Sequence, residues 1–485
     1  MGSAVWADEA LRSADSLLGR FVLFYGALIF TQYFVLGMLA FVDARRELRR
    51  QKISDRLSLF DGDMAPPISI LVPAHNEEPT IADSIRSLMQ LRYPSFEIIV
   101  VNDGSTDGTL AAMIAAFGLR PSLRTLRDRV PRDRVHGVYS SPDYPFLVVL
   151  DSVNGGKAQA LNLALAVARH PLFCAIDADS MLERDTLLQL ALPFYLDASV
   201  VVTGGVVRPA NGSVFENGQL VNAGLSSRAI VRLQTVEYLR GMLAGRMGWN
   251  LLDSLYIVSG ALGLFSRHAV LAVGGYRTDT LGEDMELVMR LQRWAWLNGR
   301  RHAVRFVASA VAWTEVPEDI RTLARQRSRW HQGLAESLWI NRRLLLTQRF
   351  TPHHGLAFLS QLLIELLGPP IELLGLVLTL AMVLGGNLHS AFPLLYLAMF
   401  ILGGTVNSLL ALALETIVCS RYTRASDFLT LMECALLENF GYRQLLAWFR
   451  LCGLWNALRR RRSWGDMARH GHAGPEVADE VRRAA

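Results

Sequence analysis

Asp177-Ala-Asp179 directly follows a wholly apolar stretch, Phe173–Ile176, so a strand there would deliver two carboxylates to one side at its end. Hard oxygen donors so placed suit a divalent cation that is also held by phosphate oxygens. An isolated pair of this kind is more often a solvated turn, and its surroundings decide its weight. Lys157 is part of those surroundings. It is one of only two lysines in the chain, with Lys52, among 49 basic residues, and it follows Gly155-Gly156 at the head of an expected helix. An ammonium there opposes the helix macrodipole but suits phosphate, for which a compact point charge serves well. Chance survival of a lysine remains the alternative. Glu283-Asp284, after Gly282, opens another expected helix that runs to Leu297, where acidic residues ordinarily cap the first turn.

Two polar loops precede these. Pro73-Ala-His-Asn-Glu-Glu78 and Asn102-Asp-Gly-Ser-Thr-Asp-Gly108 each follow an apolar run and open a helical pattern. The second has calcium-loop spacing at Asp103, Ser105 and Asp107, but its twelfth position is Ile114 where a bidentate glutamate is required. A nucleotide-binding P-loop is excluded as well, since Asp151 stands where its first glycine should be. Further on come the glycine-punctuated Ser259–Phe265 and Gly274-Gly-Tyr276. Gln326-Arg-Ser-Arg-Trp330 lies in a basic amphipathic helix expected over Ile320–Leu346, which alone would be a headgroup-binding surface helix.

The elements that must position these residues alternate. Strands are expected at Ile68–Pro73, Phe96–Val101, Phe146–Leu150 and Phe173–Ile176, with helices at Ile81–Leu91, Thr109–Phe117 and Lys157–Arg169. This is a parallel-sheet signature, and an Arg- and Pro-rich connection, Leu119–Pro145, interrupts it. Such α/β sheets bind ligands beyond the carboxyl ends of their strands, where the polar motifs fall.

Composition adds a membrane. The 485 residues are 51% hydrophobic and 19% charged, with mean hydropathy +0.25. The formal charge of +5 is small and spread along the chain, which argues against nucleic acid as a partner. Four cysteines without a C-x-x-C pair give neither a zinc site nor a redox motif. Phe21–Val42 is twenty-two residues without a charge, followed at once by Arg45, Arg46, Arg49, Arg50 and Lys52. It therefore reads as an uncleaved span with residue 43 onward in the cytoplasm. Gly355–Gly386, broken at Gly368-Pro-Pro370, and Ala391–Cys419 are read as two more spans. The loop between them, Asn387–Ser390, carries no Lys or Arg, while Arg421 and Arg424 follow. Asp427–Leu458 is expected as one interfacial amphipathic helix, and 459–485 as a basic cytoplasmic tail that begins with the cluster Arg459–Arg462. Residues 1–20 form an N-terminal segment, and 53–350 a cytoplasmic domain. Glu365, Glu372 and Glu415 lie in apolar sequence, either as functional intramembrane carboxylates or as helix and headgroup contacts.

Taken in order, the motifs closely resemble the membrane-embedded, processive type of family 2 inverting glycosyltransferases. This group includes cellulose, chitin, hyaluronan and poly-N-acetylglucosamine synthases. The resemblance covers roughly Pro67–Gly333 and implies a GT-A (Rossmann-like) fold flanked by transmembrane helices, in a multi-pass protein of the inner (plasma) membrane. Pro73, His75, Glu77 and Asp103 match positions around the uridine of a UDP-sugar, and Lys157 matches the lysine at its diphosphate. Asp177 and Asp179 match the D-x-D that binds Mg2+ or Mn2+ with the diphosphate. Asp284 matches the general base, with Glu283 beside it. Gln326 and Arg329 match the pair that meets the pyrophosphate, and Trp330 the support for the acceptor sugar. The implied activity is hexosyl transfer from a UDP-sugar to a growing β-linked polysaccharide, coupled to its translocation. Expected partners are this donor, a polysaccharide or lipid-linked acceptor, membrane lipid and accessory export subunits. Ser259-Gly-Ala261 and Ser463-Trp-Gly465 look more like the poly-N-acetylglucosamine type and favour an N-acetylhexosamine. The competing readings are a non-processive transferase that loads one sugar onto a polyprenyl phosphate, and a catalytically silent membrane receptor or scaffold.

Overall fold

A computed structural model describes residues 17–56, 65–122, 132–216, 218–300, 303–346, 352–386 and 391–460. The Asn387–Ser390 loop, Arg461 and Arg462 of the basic cluster, the tail beyond them and Ser463-Trp-Gly465 lie outside these residues. The chain divides into two units. One comprises residues 45–227 and 252–316, and the other residues 1–44, 228–251 and 317–464, each taken over its described residues.

The first unit is built on a ten-stranded mixed sheet. Its strands in chain order are β1 (Ile68–Ala74), β2 (Phe96–Asp103), β3 (Arg120–Pro121), β4 (Val135–Ser140), β5 (Leu147–Ser152), β6 (Leu172–Ala175), β7 (Ser180–Leu182), β8 (Val202–Pro209), β11 (Gly263–Ser266) and β12 (Val304–Thr314). They lie in the order β3-β4-β5-β2-β1-β6-β11-β8-β12-β7, and β9 (Val214–Glu216) and β10 (Gln219–Asn222) form a separate hairpin. β5, β2, β1 and β6 run parallel, with Ile68 opposite both Phe96 and Leu172. Ile70, Leu71, Ile98, Ile99 and Val149 are fully buried, as continuous β-branched and leucine runs covered on both faces must be. The expected strands and helices of this half are present, with ends that shift by one or two residues. The Lys157 helix stops at Val167 because Ala168 turns to extended backbone. The Arg- and Pro-rich Leu119–Pro145 connection contains β3 and β4, which extend that edge of the sheet, β4 antiparallel to β5 and β3 antiparallel to β4.

The other unit is helical. Gly19–Gln51 and Ala391–Val418 are each long and apolar enough to cross a membrane. The Gly355–Gly386 block is Pro352–Leu366 and Gly368–Leu384, bent by 41° at the Gly-Pro-Pro break, a broken span or a re-entrant loop. Pro370 has no N–H to give the Leu366 carbonyl, and His331 Nε2 reaches that oxygen at 3.2 Å. Asp427–Leu458 is not the single helix expected. It is Ala425–Leu437 and Tyr442–Leu458, broken where Gly441 takes φ +100°, a backbone state that side chains disfavour. The basic helix runs Ile320–Ile340 and then tightens into a 3-10 turn, Arg342–Leu346. Residues 228–251 and 317–346, expected within the soluble domain, group with this helical unit. The apolar carboxylates make helix contacts: Glu365 accepts from the Tyr33 hydroxyl at 2.5 Å, and Glu372 pairs with Arg443 at 3.1 Å.

Candidate active site at the carboxyl ends of the strands

β1, β2, β5 and β6 release their loops on the same edge because they are parallel, and four of the motifs are those loops. The first two are laced together. Thr106 N–H donates to Asn76 Oδ1 at 2.8 Å, Asn76 N–H to Ser105 Oγ at 3.0 Å, and Gly108 N–H to Glu78 Oε2 at 2.9 Å. Glu77 is turned inward, where its carboxylate accepts the Thr80 hydroxyl at 2.8 Å at the head of the next helix. Pro73 is in β1 itself, opposite Val101.

Asp103, at the end of β2, holds the loop that leads to Lys157. Its two oxygens accept from Gly155 N–H and Gly156 N–H, each at 2.8 Å, and its own carbonyl meets His75 Nδ1 at 2.8 Å. Burial raises the Asp103 carboxyl above its usual range against these amides. Asn154 Nδ2 lies 3.2 Å from the same His75 nitrogen. Gly104 must be glycine: its φ is +60°, and a Cβ there would stand 2.6 Å from Asn154 N. His75, Asp103 and Lys157 are thus neighbours through backbone.

Lys157 then enters the acidic cluster. Its ammonium pairs with Asp177, lies 3.8 Å from Glu283 Oε1, and approaches the Gly260 carbonyl at 3.4 Å. Burial works against its charge, but Asp177, Glu283 and Asp284 overcome it and hold the ammonium above the usual lysine range. Glu283 is 7% exposed, and burial pushes it up to about 7, with Lys157 opposing and Asp284 adding to the shift. Asp284 is held at both oxygens, by Gly260 N–H at 2.9 Å and Met285 N–H at 2.7 Å. Gly260 therefore stands between base candidate and ammonium, donating to one and accepting from the other. A Cβ on it would lie 2.9 Å from Lys157 Nζ and 3.2 Å from Asp284 Oδ2. Sequence reasoning noted Ser259-Gly-Ala261 but gave its glycine no role beside Lys157 and Asp284, because a backbone amide donor leaves no residue-type signal.

Asp179, 3% exposed, follows Asp177 by two residues beyond β6. Among the described residues no group of three or more His, Cys, Asp or Glu side chains could hold a metal. Two carboxylates two residues apart suit a hard divalent cation that takes its other ligands from diphosphate and water. The donor set fits.

Gln326, Arg329 and Trp330 belong to the helical unit. Trp330 is 39% exposed, and the Arg327 guanidinium lies over its ring at 4.3 Å. Arg327, 1% exposed, also donates to Glu237 Oε1 at 3.1 Å and Oε2 at 2.8 Å and to Gln326 Oε1. The Gln326 side chain is thus engaged inside its own unit, and Arg329 is half-buried. Arg327 and Glu237 had no sequence signal, the first being one of the unassigned positions inside the motif and the second lying in a helix that sequence reasoning did not place.

Residues 69–247 match the family described as glycosyl transferase family 2, and residues 172–412 glycosyl transferase family group 2. The chain is 28% identical over 321 residues to a poly-beta-1,6-N-acetyl-D-glucosamine synthase of Staphylococcus epidermidis, which is 66% of each chain. It is 27% identical over 319 residues to the Staphylococcus aureus (strain COL) protein of the same name, again 66% of each. The match thus spans just under two thirds of those relatives. Among solved structures, a mannosyltransferase of Pyrobaculum calidifontis in complex with GDP-Man and Mn2+ superposes with a TM-score of 0.51. Its identity is 18%, over 91% of this chain and 100% of that one, which speaks to the GT-A fold alone.

Proposed function

The chain belongs to the family 2 glycosyltransferases, and from that premise we propose that it builds a β-linked polysaccharide from a UDP-sugar, with inversion at the anomeric carbon. The sugar we favour is an N-acetylhexosamine, which the likeness to the Staphylococcus poly-beta-1,6-N-acetyl-D-glucosamine synthases supports. The protein is a membrane protein, and the basic run after its first apolar helix supports a cytoplasmic catalytic unit and export of the growing chain across the bilayer.

The observation that carries this reading is the arrangement at Gly260, whose N–H holds a carboxylate and whose carbonyl is approached by an ammonium. Displacement at the anomeric carbon needs such a pair. The acceptor O–H gives its proton to Asp284 while its oxygen forms the new glycosidic bond. The bond from the anomeric carbon to the diphosphate oxygen breaks, and its electron pair leaves with UDP. Lys157 meets the charge that grows on that oxygen. Two hydrogen bonds to the Asp284 carboxylate fix its direction, so little reorganisation accompanies proton transfer. Mg2+ or Mn2+ held by Asp177 and Asp179 would supply Lewis-acid neutralisation of the diphosphate. His75 and Asp103 line the nucleotide side, with Pro73 and Glu77 shaping its loop. Trp330 offers a pyranose ring a flat apolar face, with Gln326 and Arg329 as polar neighbours on its helix.

The test is incorporation of label from a panel of UDP-sugars by inverted vesicles with Mg2+ or Mn2+, wild type beside Asp284→Asn. High-mass product from one donor, lost in the variant, is expected. A lipid-extractable monosaccharide would replace the polymerising reading, and turnover indifferent to Asp284 would remove the assigned base.

A further inference from the structure

The Gly274-Gly275-Tyr276 turn takes no part in the chemistry above, yet three of its backbone groups, both of Tyr276 and the Gly275 carbonyl, are bound by side chains. Asn162 pairs with Tyr276 as a neighbouring strand would: Tyr276 N–H donates to Asn162 Oδ1 at 2.8 Å, and Asn162 Nδ2 donates to the Tyr276 carbonyl at 2.8 Å. From another side Arg290 donates to the Val273 carbonyl at 2.5 Å and to the Gly275 carbonyl at 2.8 Å. Arg290 is itself fixed by Glu286, with three contacts of 2.7 to 2.9 Å to a carboxylate that is 0% exposed. The turn can be approached this closely because Gly275 has no side chain. Its φ is +76°, and a Cβ would stand 2.6 Å from Asn162 Oδ1. The Tyr276 ring anchors the turn on the sheet, packed at 6.5 Å from Phe173 and 6.4 Å from Phe265.

The two helices that send these side chains are the two that carry the reacting groups. Asn162 is on Lys157–Val167, five residues after Lys157, and Glu286 and Arg290 are on Glu283–Leu297, which begins with Glu283-Asp284. We infer that Asn162, Glu286 and Arg290 are positioning residues that fasten both helices to this one turn and so set the separation of the leaving-group ammonium from the base. Binding of the donor needs the Lys157 side alone, whereas transfer needs both sides at once, within a geometry that tolerates about an ångström of error. The inference rests on the glycosyl-transfer reading for its kinetic consequence and on geometry alone for its mechanical one.

The experiment therefore reads both, on the full chain in membranes. For the mechanical part, spin labels at Ala166→Cys and Arg293→Cys, with Cys419 and Cys452 replaced by serine, report the spacing of the two helices. A narrow distance distribution is expected, and Asn162→Ala should broaden it. For the kinetic part, Asn162→Ala should lower kcat at least tenfold and move the donor KM less than about threefold. Gly275→Ala should do the same. The double variant should lose less than the product of the two, because alanine at 162 removes the oxygen that the new Cβ strikes. Asn162→Asp keeps the acceptor for Tyr276 N–H and should fall between wild type and Asn162→Ala, which preserves a test if the alanine variant fails to fold. An unchanged distance distribution overturns the inference, whatever happens to kcat. So does a rise in donor KM that accounts for the whole loss. A broadened distribution in a protein that transfers no sugar from any donor would support the inference and defeat the glycosyl-transfer reading.

Discussion

Buried charge is handled in opposite ways in the two units. In the helical unit three carboxylates each face a guanidinium. Glu237 takes both ends of Arg327, lies 3.5 Å from Arg450 and accepts the Tyr442 hydroxyl at 2.9 Å, while Glu438 faces Arg240 and Glu372 faces Arg443. The two guanidiniums hold the Glu237 carboxyl below its usual range although burial raises it. At the strand ends Asp177, Glu283 and Asp284 all draw on the single ammonium of Lys157, and Glu283 ends up near 7. Matched charge in an apolar surrounding serves architecture. Charge left short of its counterpart is a site prepared for a cation and for proton transfer.

The comparison breaks most sharply if Asp284→Asn leaves sugar transfer intact. A general base contributes about 10^2 to 10^4 in rate, so the expected loss of label incorporation is of that order, with thermal unfolding of the detergent-solubilised protein nearly unchanged. The matched region should respond the other way. Glu237→Ala strands Arg327 and costs about 3 to 5 kcal/mol of stability. The midpoint of unfolding in detergent should fall steeply. Glu237→Ala paired with Arg327→Met should recover much of it, and a double variant as unstable as the single one would mean that the pair is not what Glu237 provides. Lys157→Ala is intermediate. Removing one charge-assisted contact to phosphate costs about 1.5 to 3 kcal/mol, so kcat/KM for the donor should fall roughly ten- to hundredfold.

The same contrast explains what could be read in the sequence. Continuous apolar runs such as Ile68–Ala74 and the polar loops after them announce parallel strands and a site at their ends, because burial on both faces leaves no alternation to misread. Lys157, Asp177, Asp179 and Asp284 could be named because their chemistry depends on residue type. Gly260 works through its peptide, Asn162 through a turn more than a hundred residues away, and Arg327 through a glutamate ninety residues upstream, so none of them marks the local sequence. The break at Gly441 was hidden for a related reason. The amphipathic pattern runs through it, and only the backbone angle divides the helix.

The smallest expected effect is the one most specific to the unmatched cluster. Glu283 in the folded chain ionises near 7 rather than near its ordinary 4.5, so between those values the folded state holds a proton that the unfolded state has lost. Stability contributed by this group is therefore fully present below pH 4.5 and declines as the pH rises through 7, since unfolding free energy falls with pH wherever the native state binds more protons. Glu283→Gln removes that dependence. Its unfolding midpoint, measured without donor or divalent cation, should change less between pH 5.5 and 8 than that of the wild type, and at pH 8 the variant should be the more stable of the two. Divalent cation with donor should shrink the difference by supplying the positive charge that the cluster lacks. If wild type and Glu283→Gln instead follow parallel pH profiles, Glu283 is already ionised beside Lys157. The strand-end cluster would then be as fully matched as the Glu237 pair, and the contrast between the two units would vanish.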